Sequence, residues 1–409
     1  MNTLKFLALA ILALPAAVAQ ADPALDHAKE VLSRSILFDG HNDLPWAIRG
    51  NAAAPGDVAA YDLREHAPAG GQTDIPRLRE GRLGAQFWSV YTPPEAEGHF
   101  ARTQLEQIEI ARQFIARYPD TFTLASSAAD IRAAKVAGKI GGMLGAEGGH
   151  AIEDSLGALH AYYDLGVRYM TLTHNKHTSW ADSAVDESPG HGGLTEFGEQ
   201  VVHEMNKLGM LVDLSHTAPD TMRDALRVSE APVIFSHSNA RALCEIPRNV
   251  PDDVIKMLAK NGGVLMVSFV AGFTSQAAAD VTLPAIKDYM VRSKGKTPEE
   301  QAKIYEGIQV ELNKKMPKVT VAEVADHIDY IRKLVGVDYI GIGSDFDGNT
   351  NWPVGLSDVS MYPNLFAELV RRGWSDEDLA KVAGGNVLRA LEQAEAVAKR
   401  LQAEGPAKP

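Results

Sequence analysis

Eight short apolar stretches alternate with helical patterns along the chain, and this alternation constrains the fold more than any other feature. The stretches predict strands at 36–40, 83–91, 140–146, 167–173, 211–214, 232–236, 263–269 and 339–343. Helical spacing of apolar residues is clear at 103–117 and 194–208, which lie between consecutive strands. Strands that alternate with helices form a parallel sheet, which makes this an α/β protein. Eight such repeats predict a (β/α)8 barrel of the TIM type.

Polar residues follow the predicted strands at the points where the strands end. They are His41 and Asp43 after the first strand, Glu147 after the third, His174 after the fourth, His216 after the fifth, His237 after the sixth and Asp345 after the eighth. In a barrel the carboxyl ends of all strands meet on one face, where active sites lie. The alternative, an open doubly wound sheet, has its ligand site at one switch point. Polar residues after many different strands therefore favour the barrel.

The residue types in this set indicate a metal centre, although each residue alone could equally be structural. Zinc takes imidazole nitrogens and carboxylate oxygens as ligands, and one open tetrahedral site needs only three protein ligands. Five candidates serve two zinc ions per chain if Glu147 bridges them: His41, Asp43, Glu147, His216 and His237. A bridging hydroxide would complete such a centre and attack a polarised carbonyl, with Glu147 counted among the catalytic residues.

Three further residues complete the predicted site. Asp345 is the candidate for taking or relaying a proton, although the nearby Asp347 is not separable from it by sequence. His174 is not needed as a ligand and could donate a hydrogen bond to a developing oxyanion. Arg248 follows the sixth strand and suits a substrate carboxylate, which it could hold with two hydrogen bonds. The alternative for Arg248 is a surface arginine that pairs with Asp252 or its neighbour.

The ends of the chain indicate export. Residues 1–21 have the pattern of a signal peptide, with Lys5 before an apolar stretch at 6–18 that is short for a membrane span. Cys244 is the only cysteine, so no intramolecular disulfide can form, and a bacterial periplasm fits better than an animal extracellular space. The tail 402–409 is polar and predicts no membrane anchor. The remaining residues, 22–401, are predicted to form a single metallohydrolase domain.

The charge composition excludes nucleic acid as a partner. The 40 basic and 53 acidic residues give a net charge of −13 without the basic patch that nucleic acid requires.

Between the seventh and eighth strands, residues 277–320 are too many for a simple connection and predict a helical insertion. It could be a lid over the site or a packing element. The sequence leaves the oligomeric state open, with a homodimer as one option.

Several of these motifs, in this order, resemble the membrane (renal) dipeptidase family, the M19 zinc peptidases of the amidohydrolase-like superfamily. The matching stretches are Asp39-Gly-His-Asn-Asp43, Glu147-Gly-Gly-His150, Arg168 to His174, Trp180-Ala-Asp182, Asp213-Leu-Ser-His216, Ser236-His-Ser238, Arg248 to Asp253 and Asp345-Phe-Asp-Gly348. The resemblance covers roughly residues 36–395. It implies a bacterial exported member of the family, acting on small peptides.

The resemblance also implies a role for each site residue. A binuclear zinc dipeptidase is implied, with His41 and Asp43 on one zinc, His216 and His237 on the other, Glu147 bridging, Asp345 as the acid/base, and His174 and Arg248 binding substrate. The implied substrates are dipeptides, including those with a C-terminal D-residue, and some members open β-lactam rings. The chain departs from the animal enzymes in its single cysteine and in Phe273, which stands where a tyrosine is expected.

Two other functions remain as alternatives at this point. Another binuclear amidohydrolase, such as an N-acyl-amino-acid deacylase or a lactonase or β-lactam hydrolase, would use a similar barrel. Arg248 argues against a lactone, which has no carboxylate to hold, and Glu147 differs from the modified lysine or cysteine that bridges the metals of many deacylases. A non-catalytic periplasmic binding protein is a remote alternative, since that function predicts missing ligands.

Overall fold

The computed structural model describes residues 22–65, 70–94 and 98–405. The predicted signal peptide at 1–21 and residues 406–409 of the tail lie outside the described residues. Within these ranges, none of the helices has both the length and the apolar composition needed to cross a membrane.

Parallel strands form the centre of the molecule. They are β1 (Leu37–Asn42), β2 (Leu83–Tyr91), β3 (Phe122–Leu124), β4 (Ile140–Glu147), β5 (Val167–Thr171), β6 (Leu211–Asp213), β7 (Ile234–Phe235), β8 (Val264–Val267) and β9 (Ile340–Ile342). Eight of these strands pair in parallel in the order β1, β2, β4, β5, β6, β7, β8, β9, and β9 pairs with β1. The sheet is thus a closed barrel, and the predicted (β/α)8 fold is confirmed.

Helices surround the barrel. They are α1 (Pro23–Arg34), α2 (Leu44–Arg49), α3 (Ile75–Glu80), α4 (Phe100–Arg117), α5 (Ala128–Val136), α6 (Leu156–Asp164), α7 (Glu196–Leu208), α8 (Pro219–Val228), α9 (Asp252–Asn261), α10 (Ala271–Thr274), α11 (Gln276–Ser293), α12 (Pro298–Lys315), α13 (Val321–Val335), α14 (Tyr362–Arg371), α15 (Asp376–Ala380) and α16 (Asn386–Glu404). Short 3₁₀ helices lie at Gly149–Ile152, Val337–Tyr339 and Val359–Met361, and a π-helical turn at Lys381–Gly385 joins α15 to α16.

The sequence did not predict β3, which lies outside the ring of eight. It pairs with the first residues of β4 on the side that β5 occupies further along the strand. The register places Leu124 beside Gly142, whereas β5 begins its pairing at Leu144. β3 therefore pairs with the first residues of β4, and β5 pairs with the later ones. Three residues are too few for a periodic signal, which explains why the pattern was missed.

The barrel interior has an apolar lower layer and a polar upper layer. Phe38 stacks on Phe87 with ring centroids 4.9 Å apart, and Phe87 contacts Tyr169 at the same distance. Side chains alternate along a strand, so in β4 the residues Met143, Gly145 and Glu147 share one side. The phenol of Tyr169 fills the space that Gly145 leaves open. Above this layer the inward residues are polar, and the candidate site lies there.

The predicted insertion is a pair of helices, α11 and α12, between β8 and β9. α11 packs through Ala279 and Leu283 against Cys244 and Ile246 in the loop after β7. An exposed ion pair of 2.6 Å joins Lys287 in α11 to the long loop after β5. The insertion therefore lies against loops at the carboxyl face of the barrel.

Gly145→Ala should lower the stability of the protein, because the added Cβ would lie 2.0 Å from the Tyr169 ring. Overpacking of a buried site costs about 1–3 kcal/mol. Gly157→Ala is the matched control, since a Cβ at this position in α6 has its nearest neighbour at 3.5 Å. Chemical denaturation of both variants measures the difference. Equal stabilities would show that the lower layer has room to adjust.

Candidate metal centre

The carboxyl ends of the strands bring the predicted residues together. His41 lies within β1 and Glu147 is the last residue of β4, because β1 extends two residues further than the sequence predicted and β4 one residue further. Three groups of ligand-type atoms each lie within 4.8 Å of one another: His41, Glu147 and His237; Glu147, His174 and His216; and His41, Asp43 and Asp345. These residues are buried, apart from His174, whose side chain is 12% exposed. Residues from the ends of several different strands thus converge on one place.

The carboxylate of Glu147 lies at the centre of this set, and its two oxygens face different partners. Oε2 lies 3.5 Å from Nε2 of His41 and accepts a hydrogen bond of 3.1 Å from Ser89. Oε1 lies 3.2 Å from Nε2 of His216 and 3.6 Å from Nε2 of His237. Burial raises the pKa of Glu147. A carboxylate with one oxygen toward each of two ligand groups has the arrangement of a bridging ligand.

His216 and His237 point their Nε2 atoms at each other across 3.0 Å. Nδ1 of His216 bonds to the amide oxygen of Asn175 at 3.1 Å, so Nδ1 carries the hydrogen. Nδ1 of His237 lies 2.8 Å from the hydroxyl of Ser236, whose own hydrogen is donated to Asp213. Both Nε2 atoms therefore present lone pairs, and burial keeps both rings neutral by lowering their pKa values. Two facing lone pairs and a nearby carboxylate fit a divalent cation.

His41 faces the other carboxylate oxygen of Glu147, and its ring lies against that of His237 with centroids 3.9 Å apart. Its Nδ1 is hydrogen-bonded to the hydroxyl of Tyr169 at 2.9 Å, and its Nε2 lies 3.2 Å from the carboxylate of Asp43. The backbone N–H of Asp43 is bonded to the carbonyl of Phe346. Gly348 lies against both Asp43 and Asp345, since a Cβ there would come within 2.3 Å of either carboxylate. The imidazole of His41 and the carboxylate of Asp43 thus converge with Oε2 of Glu147.

The structure separates Asp345 from Asp347, which the sequence could not do. Asp345 belongs to the group with His41 and Asp43, and burial, followed by the charges of Asp43 and Glu147, raises its pKa well above the usual value. Asp347 instead accepts a hydrogen bond from the backbone of Gln72 at 2.8 Å and anchors that loop. Asp345 is therefore the carboxyl group at the centre.

Arg248 is buried, which excludes the alternative of a surface arginine paired with the acidic residues of α9. It is 5% exposed and donates to the hydroxyl of Ser238 and to the carbonyl of His237, both at 3.4 Å. Its guanidinium carbon lies 4.9 Å from the centroid of the Phe273 ring. Burial lowers its pKa to about 10, so it remains charged at neutral pH.

His174 lies beside His216, with ring centroids 4.2 Å apart, and its Nε2 is 3.7 Å from Oε1 of Glu147. Burial lowers its pKa well below the usual value, so the ring is neutral. The ring of Tyr91 covers it at 4.7 Å, and Trp46 contacts Tyr91 edge-on at 5.0 Å. An aromatic wall therefore bounds the centre on this side.

The profile of the membrane dipeptidase family, peptidase family M19, matches residues 25–405. This chain belongs to the membrane dipeptidase family. The dipeptidase aclJ of Aspergillus oryzae is 41% identical over 382 residues, which cover 91% of this chain and 81% of that protein. The family and the enzyme class that the sequence predicted, a metallodipeptidase, are confirmed.

Solved structures of similar proteins agree with this assignment. The probable dipeptidase PvdM from Pseudomonas aeruginosa has a TM-score of 0.78 at 27% identity, and the match covers 91% of this chain and 99% of that chain. A metallopeptidase from Rhodobacter sphaeroides, solved with a phosphinate mimic of the dipeptide L-Ala-D-Ala, has a TM-score of 0.72 at 25% identity and covers 88% and 99% of the two chains.

Two buried carboxylates that the sequence analysis did not single out hold the membrane dipeptidase centre in place. Asp213 accepts hydrogen bonds from the hydroxyls of Thr171 and Ser236, both at 2.6 Å, and from the backbone of Ser215 and Ser236 at 3.1 and 2.8 Å. Through Ser236 it orients His237. These bonds tie the ends of β5, β6 and β7 together.

Asp39 has the same function at the opposite side of the barrel. It accepts hydrogen bonds from the backbone and hydroxyl of Ser344 at 2.7 and 2.5 Å and from the hydroxyl of Tyr362 at 2.6 Å. Burial raises its pKa. The bonds join β1 to the segment after β9, where the barrel closes. A charged residue inside an apolar strand is almost never buried without partners, and this signal could have indicated both Asp39 and Asp213 from the sequence.

Ser236→Ala should weaken divalent-metal binding by about 10- to 100-fold, because it removes the hydroxyl through which Asp213 fixes the ring of His237. Ser229→Ala is the matched control, since that hydroxyl bonds to Asn206 and Ala231 away from the centre. Competition with a chromophoric chelator measures the affinity. Unchanged affinity in Ser236→Ala would mean that packing alone orients His237.

Proposed function

We propose that this chain is a binuclear zinc dipeptidase that cleaves dipeptides, including those with a C-terminal D-residue. One observation carries the proposal: Oε2 of Glu147 faces His41, which groups with Asp43, and Oε1 faces His216 and His237. A single metal would use only one of these groups. The dipeptidase names of the relatives, and the L-Ala-D-Ala mimic bound to the Rhodobacter sphaeroides protein, support the substrate class.

The contacts support the ligand roles that the family resemblance implies. His41 and Asp43 would hold one zinc ion and His216 and His237 the other, with Glu147 between them. Bound zinc would lower the pKa of a water molecule and polarise the peptide carbonyl. Because the ligands come from strand ends that are joined by buried hydrogen bonds, the set is preorganised.

Asp345 is the proposed acid/base. Its carboxyl group faces His41 and Asp43, and burial favours its protonated form. In its carboxylate form, a group with a raised pKa is a stronger base toward the attacking water, and it retains that proton until it delivers it to the leaving amine nitrogen. Asp345 has positive φ, at 70°, a conformation that few residues other than glycine adopt and that occurs at functional sites.

Arg248 and His174 are the proposed substrate-binding residues. The guanidinium of Arg248 is buried, charged and bonded only weakly, at 3.4 Å, to two uncharged oxygens, so it can bind a carboxylate. His174 is neutral and its Nε2 lies 3.7 Å from Oε1 of Glu147, where an N–H could donate to the carbonyl oxygen of the scissile bond. A substrate held by both would have a free carboxylate one residue from the bond that is cut.

The purified protein should bind two zinc ions per chain, because five candidate ligands exceed what one site needs. Glu147→Gln should lower this number, since the amide cannot offer a charged oxygen to both groups. Elemental analysis after dialysis measures the stoichiometry, and circular dichroism reports whether the variant is folded. Full activity with one ion per chain would exclude the binuclear centre, and a normal metal content in Glu147→Gln would exclude Glu147 as the bridging ligand.

Arg248→Met should lower kcat/KM for dipeptides by about ten- to a hundredfold. A hydrogen bond to a charged group contributes roughly 1.5–3 kcal/mol, and 1.4 kcal/mol corresponds to about tenfold in kcat/KM. Dipeptide amides, which have no carboxylate, should lose much less. His174→Ala should affect acid and amide alike and act on kcat. Equal losses for acid and amide in Arg248→Met would mean that the arginine is structural.

We also propose that the protein is exported, to the periplasm or the medium, after removal of residues 1–21. The short apolar stretch at 6–18 and the small residues at 17, 19 and 21 support this proposal. The exported protein should begin near Gln20 or Asp22. N-terminal sequencing of the secreted fraction tests it, and an intact Met1 would refute it.

A further inference from the structure

The two proposed metal positions differ in charge. We define the first position by Nε2 of His41, the Asp43 carboxylate and Oε2 of Glu147, and the second by Nε2 of His216, Nε2 of His237 and Oε1 of Glu147. Glu147 is shared, so Asp43 is an anionic ligand that only the first position has. The carboxyl group of Asp345 also groups with His41 and Asp43. The second position has two neutral imidazoles instead.

A buried cation lies beside the second position and increases this difference. Arg248 donates to the backbone carbonyl of His237 itself and to the hydroxyl of Ser238, the next residue. Both contacts, at 3.4 Å, hold the guanidinium charge against the segment that carries His237. A positive charge held there repels a divalent cation at the second position.

We propose that the two metal positions have unequal affinities and that Arg248 makes the second position the weaker one. The first ion binds at His41 and Asp43 and is held tightly. The second binds at His216 and His237 and exchanges more readily. The inference rests on the proposed binuclear centre and adds to it a residue that sets the order of metal loading.

A consequence is that substrate and second metal bind cooperatively. A carboxylate on Arg248 neutralises the charge that repels the second ion, so each should increase the affinity for the other by the same factor. The enzyme would then gain its second ion when a peptide with a free carboxylate is present. Arg248 would thus contribute to the specificity for such peptides through the metal as well as through direct binding.

Metal titration of the metal-free protein with Zn²⁺, in competition with a chromophoric chelator, tests the proposal without measuring activity. We expect two dissociation constants that differ by about a hundredfold or more. Arg248→Met, which keeps the volume and removes the charge, should tighten the weaker constant by about tenfold or more at the effective dielectric constant of a protein interior. Arg248→Lys keeps the charge and should leave the weaker constant close to that of the wild type.

Arg241→Met is the matched control, because Arg241 lies in the same loop but donates to the carbonyls of Pro247 and Asn249. It should leave both constants unchanged. Isobutyrate, which has a carboxylate but no amine to chelate zinc, should tighten the second constant of the wild type. It should have no such effect in Arg248→Met, and neutral isobutyramide should have none in either protein.

The outcomes separate this inference from the proposed function. Two equal constants, or a second constant that Arg248→Met leaves unchanged or weakens, would overturn the inference while the centre remains binuclear. Binding of a single ion at saturating zinc would overturn the binuclear centre itself. If isobutyrate tightened the second constant equally in the wild type and in Arg248→Met, the coupling through Arg248 would be wrong.

Discussion

The burial of the Glu147 carboxylate is the constraint on which the rest of the centre depends. A charged group at this depth is costly unless partners of opposite charge or hydrogen-bond donors lie close to it. The protein itself supplies one hydroxyl, from Ser89, and the Nε2 atoms of His41 and of the neutral ring of His216. Divalent cations between the imidazoles and Glu147 would balance the charge, and this requirement makes the metal centre the natural interpretation of the geometry.

Two further buried carboxylates keep the candidate metal ligands in position. Asp213 and Asp39 lie on opposite sides of the barrel, and each accepts hydrogen bonds from neighbouring strands. Their charge is satisfied by backbone N–H groups and hydroxyls, so they serve to align strand ends. In particular, Asp213 acts through Ser236 on His237, and Asp39 receives the backbone N–H of His41. Both connections pass from a buried anion to a residue with a proposed metal ligand role.

Charge is distributed unevenly around Glu147, and this follows from where the strands end. The end of β1 and the segment after β9 contribute carboxylates, whereas the ends of β6 and β7 contribute imidazoles and the loop after β7 contributes Arg248. One side of the centre is therefore richer in carboxyl groups, and the other carries the positive charge of Arg248. The packing of α11 against the loop after β7 helps to exclude water from the arginine side.

The alternation of strands and helices by itself determined the barrel, because a hydrophobic period is a local property of the chain. The same pattern indicated His41, Asp43, Glu147, His216 and His237, since polar residues at strand ends must meet at one face. Only the tertiary structure decided between Asp345 and Asp347, since both lie at the same loop and differ in which neighbour they face. It also decided that Arg248 is buried, and which strand ends Asp39 and Asp213 hold together. These facts depend on contacts between residues far apart in the chain, which no local pattern records.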